Sequence, residues 1–208
     1  MRTTRIVVIF CLFAVWSTFH GGNALADTIT LISGNGPFGS ADPANDYSLN
    51  GGATFQDAIV IVANGAYDII PGTQWISVSQ SGYGAGNMTT LYRTSFVLPA
   101  GYSNPSLQIQ LHADNVATVL LNGFQFGQQP LTGDQSNFTN PPSLFAISDP
   151  AHFQAGVNLL DIQVQDLGEP SGLDYKATLT FIPEPSTVMQ CVVGLLGLGL
   201  AIRGKRTR

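Results

Sequence analysis

Between residues 27 and 182 the chain has almost no positive charge. Six of its eight lysines and arginines lie near the termini: Arg2, Arg5, Arg203, Lys205, Arg206 and Arg208. Only Arg93 and Lys176 remain in the middle, against twelve of the thirteen acids, a net charge of −10. Nucleic-acid affinity is dominated by cationic neutralisation of phosphates, so nucleic acid is excluded as a partner, and an anionic lipid surface with it. Cysteine is equally scarce. Cys11 and Cys191 both fall in the end segments, so the middle forms no disulfide and must hold together by its core or by a metal. Its only histidines are His112 and His152, and there is no G-x-S-x-G. A nucleophile–base–orienter set is therefore not supplied, nor a His/Cys cluster spaced for zinc. Most acids sit in turn contexts such as Asp42-Pro43 and Asp149-Pro150, which does not suggest the paired carboxylates of glycoside hydrolysis.

What remains is β-structure. Short runs of β-branched and aromatic residues recur between Gly, Pro, Asn and Ser clusters. Strands are expected at 28–32, 57–63, 74–79, 90–98, 106–113, 116–121, 123–126, 157–165 and 174–181. Period-two alternation puts Leu107, Ile109, Leu111 and Ala113 inward, with Gln108, Gln110 and His112 outward. Leu160, Ile162 and Val164 form a second inner row; Tyr175, Ala177, Leu179 and Phe181 form a third. Asn122-Gly123 suits a type I′ hairpin. One short helix is expected at "SDPAHFQAG", with Asp149 as cap, Pro150 in the first turn and Gly156 as terminator. Three long polar connections, 33–54, 79–89 and 127–142, are candidates for ligand contact. The expected fold is an all-β antiparallel sandwich of about 156 residues, spanning 27–182.

The two ends read as targeting segments. Arg2 and Arg5 precede an apolar run from Ile6 to Trp16, and Ala24-Leu25-Ala26 is an A-x-A cleavage site, so residues 1–26 are expected to be a signal peptide. The sequence closes with Pro183-Glu184-Pro185-Ser186, a glycine- and leucine-rich span at 187–202, and a basic tail of Arg203, Lys205, Arg206 and Arg208. The span is near the lower length limit for a transmembrane helix, and the tail sets its orientation with the basic end in the cytoplasm. In that order these features resemble the PEP-CTERM sorting signal of Gram-negative bacteria, over residues 183–208. The resemblance implies an exosortase-type sorting protease as partner and Pro183, Glu184 and Pro185 as its recognition site. It also implies export across the inner membrane, a membrane-anchored precursor, and delivery to the cell surface or beyond.

From Trp75 to Phe181 the chain resembles the galactose-binding-domain-like jelly roll. The stretches that carry this are "LYRTSFVLPAGYSNPSLQIQLHADNVATVLLNG" and "FQAGVNLLDIQVQDLGEPSGLDYKATLTF". It implies sugar binding, adhesion or an accessory role. Tyr83 and Phe138, aromatics on long loops, are the candidate ligand contacts, while Trp75 is expected in the core. No cofactor is demanded, but domains of this fold often hold a structural calcium, for which Asp42, Asp46 and Asp114 are the candidate ligands; turn amides are their alternative partners. The expected function is a non-enzymatic, exosortase-sorted surface or matrix protein that binds extracellular polysaccharide. The alternative is a structural or adhesion protein with no small-molecule ligand.

Overall fold

The computed structural model describes residues 25–84, 86–131, 137–168 and 170–184. Its strands are β1 (Asp27–Ile32), β2 (Ala41–Ser48), β3 (Gln56–Val60), β4 (Ile76–Ser77), β5 (Thr89–Leu98), β6 (Ser103–Asp114), β7 (Val116–Leu121), β8 (Phe124–Gln128), β9 (Ser143–Ile147), β10 (Gly156–Gln165) and β11 (Gly172–Ile182). One turn of 3-10 helix, Pro150–His152, stands before β10. Among the described residues no helix is long and apolar enough to cross a membrane. The expected membrane helix at 187–202, the basic tail, Pro185 and Ala24 lie outside the described residues.

All pairings are antiparallel, and they link the strands in one path, β8-β7-β10-β5-β2-β3-β4-β11-β6-β9, with β1 on the free side of β11. The path folds over on itself, so the inner rows of β5, β7 and β10 pack against those of β6 and β11. All three inner rows expected from alternation are buried. The fold is thus an antiparallel β-sandwich. It is nearly closed, because its two end strands also meet: a side chain on Gly127 of β8 would lie 2.4 Å from the Phe145 ring of β9.

The β7–β8 hairpin has φ of +50° at Asn122 and +84° at Gly123, as a type I′ turn requires. Asn122 also ties the hairpin down, donating to Asn158 Oδ1 (2.8 Å) and accepting from Leu159 N–H (2.9 Å). Asp149 caps the 3-10 turn by accepting from Ala151 N–H at 3.0 Å. The turn ends at Phe153, however, and Gly156 opens β10 rather than closing a helix.

β2 lies where a loop was expected, and β9 where no element was expected. β2 is "ADPANDYS", a composition depleted in strand formers. It pairs only through its ends, with a register break between Asp42 and Asp46. β9, "SLFAI", sits in the stretch after the 127–142 connection. An apolar run following Pro141-Pro142 was the signal for it.

Candidate functional site

The outward row of β6 changes character along its length. Gln108 and Gln110 are exposed, as alternation predicts. His112, expected outward, is fully buried. The cause is a cover formed by residues 61–75. Trp75 stacks parallel to His112 (ring centroids 6.2 Å) and Tyr67 stacks on Trp75 at 4.1 Å. The cover is anchored by the buried carboxylate of Asp174, the register partner of His112 on β11. Asp174 accepts from Ile70 N–H at 2.8 Å, from Ser33 Oγ at 3.0 Å and from Thr73 Oγ1. The His112 Nδ1 is 3.8 Å from Asp174 Oδ2.

Where the cover stops, the same face opens into a groove of about 610 Å³. Register makes its floor explicit. Lys176, Gln110 and Leu144 lie abreast across β11, β6 and β9; Thr178, Gln108 and Ala146 form the next row. Ile70 and Pro71 of the cover form one wall. Leu144 is 69% exposed, an apolar surface beside two amides, an ammonium and a hydroxyl. Amides both donate and accept, which matches ligand hydroxyls that do the same. The outward glutamines were legible in the sequence. Leu144 and the groove were not, because β9 and the cover were missing from the strand list.

The three calcium candidates are placed apart in role. Asp42 is buried and accepts from Gly34 N–H (2.8 Å), Asn45 Nδ2 (2.7 Å) and Ala44 N–H (3.1 Å), so its carboxylate is occupied by a turn. Asp46 is half-buried on β2, opposite Asp57 on one side and Arg93 on the other. Burial and the Asp57 charge raise its pKa, while Arg93 opposes them. Asp114 ends β6 and accepts from Tyr67 OH and Asn115 Nδ2. Burial pushes its carboxyl up to about 6, against the pull of the Tyr67 hydrogen bond, and the nearby Asp166 charge adds to the rise. Burial, then the bond to Asp114, likewise raises the Tyr67 phenol well above its ordinary value. Among the described residues, no three carboxylate, imidazole or thiol side chains gather as a metal site.

Of the two aromatic candidates, Tyr83 is 52% exposed, whereas Phe138 is half-buried and packs with Tyr67, Trp75 and Ile61. Trp75 is in the core cluster of the cover, its Nε1 donating to Asp68 O at 2.8 Å. Ala26 is exposed just before β1. Glu184 follows β11 with its carboxylate over the turn at Gly101, whose φ is +75°. The two interior cations are both engaged. Arg93 grips Asp161 with two bonds (2.7 and 2.8 Å) and lies 4.4 Å over the Phe55 ring. Lys176 Nζ faces Pro71 O at 3.5 Å, on the rim of the groove.

The described residues thus form an all-β antiparallel sandwich, nearly closed, with an open polar groove on one outer face. The particular family is shown by sequence: residues 66–185 match the beta-galactosidase second all-beta domain, and the chain belongs to that family. A search of curated protein sequences returned no match. Among solved structures the chain is similar to the beta-glucuronidase of Ruminococcus gnavus, with 14% identity over 78% of this chain and 30% of that one, TM-score 0.42. It is similar to the FMN-binding beta-glucuronidase of Facaelibacterium prausnitzii L2-6, with 17% identity over 76% and 23%, TM-score 0.41. It is also similar to the beta-D-glucuronidase of Dictyoglomus thermophilum, with 14% identity over 76% and 28%, TM-score 0.41. The chain thus spans between 23% and 30% of the length of these enzymes. The family assignment rests on residues 66–185 alone.

This assignment corrects the function expected from sequence. A non-enzymatic, exosortase-sorted surface or matrix protein was expected, either gripping exopolysaccharide or acting in adhesion. The family instead sets the domain in a carbohydrate-active enzyme context. The sorting part of that expectation leaned on the terminal signal, which concerns delivery, and the polysaccharide part on the jelly-roll resemblance and the aromatics of the long loops.

Proposed function

We propose that this chain is an accessory β-sandwich domain serving glycosidic-bond chemistry, and that it contributes sugar contact and support while the bond cleavage resides elsewhere. The observation that carries this is the match of residues 66–185 to the second all-β domain of β-galactosidases. The groove supports a sugar-contact role. Gln108, Gln110, Thr178 and Lys176 offer hydrogen bonds beside the apolar Leu144 and Pro71, the mixture a pyranose with polar rim and apolar face requires. The state of the acids supports placing the chemistry elsewhere. Asp42, Asp161 and Asp174 are each tied to internal donors, so none is poised as an acid–nucleophile pair.

Titration of the full chain with neutral β-linked galacto-oligosaccharides, followed by ligand-observed NMR, tests the reading. Binding that weakens in Gln110→Ala and Gln108→Ala is expected. Silence in the wild type, or binding indifferent to both variants, would sink it. Steady turnover of an aryl β-galactoside by the chain alone would move the chemistry into this domain.

The ends are a separate matter of delivery. The A-x-A site before Asp27 and the PEP-CTERM resemblance of 183–208 support export across the inner membrane of a Gram-negative bacterium by way of a membrane-anchored precursor. Mass spectrometry of the mature protein tests this: retention of residues 1–26 or of Arg208 in the exported form refutes it.

A further inference from the structure

We propose that the slot between β1 and the second half of β5 takes an extended, basic peptide segment of a partner protein, added to β5 as a further strand. The slot exists because β2 leaves β5 early. β2 pairs with β5 only through Asp46–Ser48, opposite Arg93–Leu91. Beyond Arg93, residues 94–98 of β5 pair with β10 alone. The departure is fixed by a buried group. Asp42 accepts from Gly34 N–H (2.8 Å), Ala44 N–H (3.1 Å) and Asn45 Nδ2 (2.7 Å), which bends Asp42–Asn45 into a turn. Asn45 Nδ2 also donates to Ile32 O at 2.9 Å, tying that turn to the end of β1. β1 in turn pairs only with β11, so its other edge is open as well.

Between the two edges lies a groove of about 370 Å³, lined by Leu31, Pro43, Asp46, Thr94, Ser95 and Leu159 among others. A strand edge presents a row of unpaired N–H and C=O groups, and proteins blunt such edges with lysine, proline or a bulge. Neither residues 94–98 nor β1 contain lysine or proline. Both faces beside the open edge of β5 are apolar. Inward, Ile29 and Leu31 pack on the core but are only partly buried. Outward, the register partners Val97 and Val157 are exposed. An added strand covers the first pair with one set of side chains and flanks the second with the alternate set, the mode of peptide capture known as β-augmentation.

Charge selects the occupant. Asp46 stands at the mouth of the slot with Asp57 as its register partner across to β3. Arg93, the cation nearest to them, is held by both oxygens of Asp161. Three carboxylates thus surround one guanidinium. Asp46 meets Asp57 and Arg93 through charge without a hydrogen bond, and the repulsion from Asp57 adds to the rise that burial gives its pKa. A lysine or arginine facing outward opposite Ser95 lies about 7 Å along the strand line from Asp46, within reach of a long side chain. A second copy of the chain is a poor occupant, because residues 27–182 carry a net charge of −10 and two such domains repel.

The test titrates the full chain in detergent with a fluorescein-labelled octapeptide of alternating valine and lysine, read by anisotropy, with amide hydrogen exchange to locate it. Binding is expected, with slowed exchange confined to residues 94–98 and the facing part of β1. The matching valine–glutamate peptide is expected not to bind. Asp46→Asn combined with Asp57→Asn is expected to weaken the lysine peptide about fivefold, the range for two partly exposed ion pairs, and to leave the melting temperature no lower than wild type. Two further peptides, N-methylated on the valines or on the lysines, separate strand pairing from charge. One is expected to lose binding and the other to keep it, since a strand joins β5 through one edge. Binding undiminished in both, binding shared by the glutamate peptide, protection elsewhere in the domain, or no binding at all overturns the proposal. Protection of residues 94–98 without peptide, together with a dimer in sedimentation, assigns the edge to a second copy and overturns it too.

Discussion

The anchor of the cover, Asp174, is the residue whose removal the structure prices most clearly. Its carboxylate is fully buried and receives Ile70 N–H, Ser33 Oγ and Thr73 Oγ1. Hydrogen bonds to a charged group contribute about 1.5–3 kcal/mol each, and three would sum to about 5–9 kcal/mol. That sum overstates the loss, because the bonds share one acceptor and deleting it also removes a buried charge. Asp174→Ala is therefore expected to cost about 3–5 kcal/mol, leaving a main-chain N–H and two hydroxyls without an acceptor. Asp174→Asn is expected to cost about 1–2 kcal/mol. The Ser33 and Thr73 hydroxyls can rotate to accept from the new amide, while its oxygen keeps Ile70. Urea unfolding followed by Trp75 fluorescence reads both, since Trp75 lies within the cover and is 1% exposed. An unchanged m-value would confirm that stability alone has moved. Asp174→Ala costing less than about 1 kcal/mol, the ordinary range for an uninvolved site, would refute the anchoring role. So would Asn proving as damaging as Ala. Because Ile70 and Pro71 wall the groove, Asp174→Ala is also expected to weaken any groove ligand more than Asp174→Asn does.

Three further outcomes are expected. Arg93→Met strands the buried carboxylate of Asp161 and is expected to cost about 2–4 kcal/mol by chemical denaturation; adding Asp161→Leu recovers most of it, and a double mutant as unstable as the single would contradict the pairing. Gly127→Ala forces a methyl into the Phe145 ring across the β8–β9 seam and is expected to cost about 1–3 kcal/mol in a thermal melt; an unchanged melting temperature would mean the seam is open. Asp114 has its carboxyl raised from 3.8 to about 6, so between those values the folded state holds a proton that the unfolded chain has lost. Its contribution therefore favours folding at the acid side of the window and is lost as pH rises through it. The urea midpoint of the wild type relative to Asp114→Asn is expected to fall from about pH 4 to about pH 7, and a rise over that range would show the sign to be wrong.

Much of the sandwich was legible because period-two alternation is a local property. Leu107, Ile109, Leu111 and Ala113 alternate with polar neighbours, and no other arrangement of a strand buries them all. Asn122-Gly123 and Asp149-Pro150 likewise carry their turn and cap in their own backbone preferences. β2 was missed for the converse reason. Its residues disfavour strand, and the neighbouring β3 and β5 impose that state on it. His112 was misplaced because alternation tells which face a side chain takes but not what later covers that face. The acids were the least legible. Asp42 was singled out in sequence as a candidate metal ligand, with turn amides as its alternative partners, and Gly34, Ala44 and Asn45 donate to its carboxylate.

By itself the sequence determined an all-β domain without disulfides and poor in cations. These follow from composition and short-range periodicity, which need no knowledge of distant neighbours. Only the tertiary structure decided which outward face stays open as a groove and which is roofed by Trp75 and Tyr67. It alone brought Asn115 to Leu167, 52 residues apart along the chain, where the side-chain oxygen of one accepts from the backbone N–H of the other. Both outcomes depend on loops crossing strands far apart in sequence, and chain order alone carries no record of such crossings.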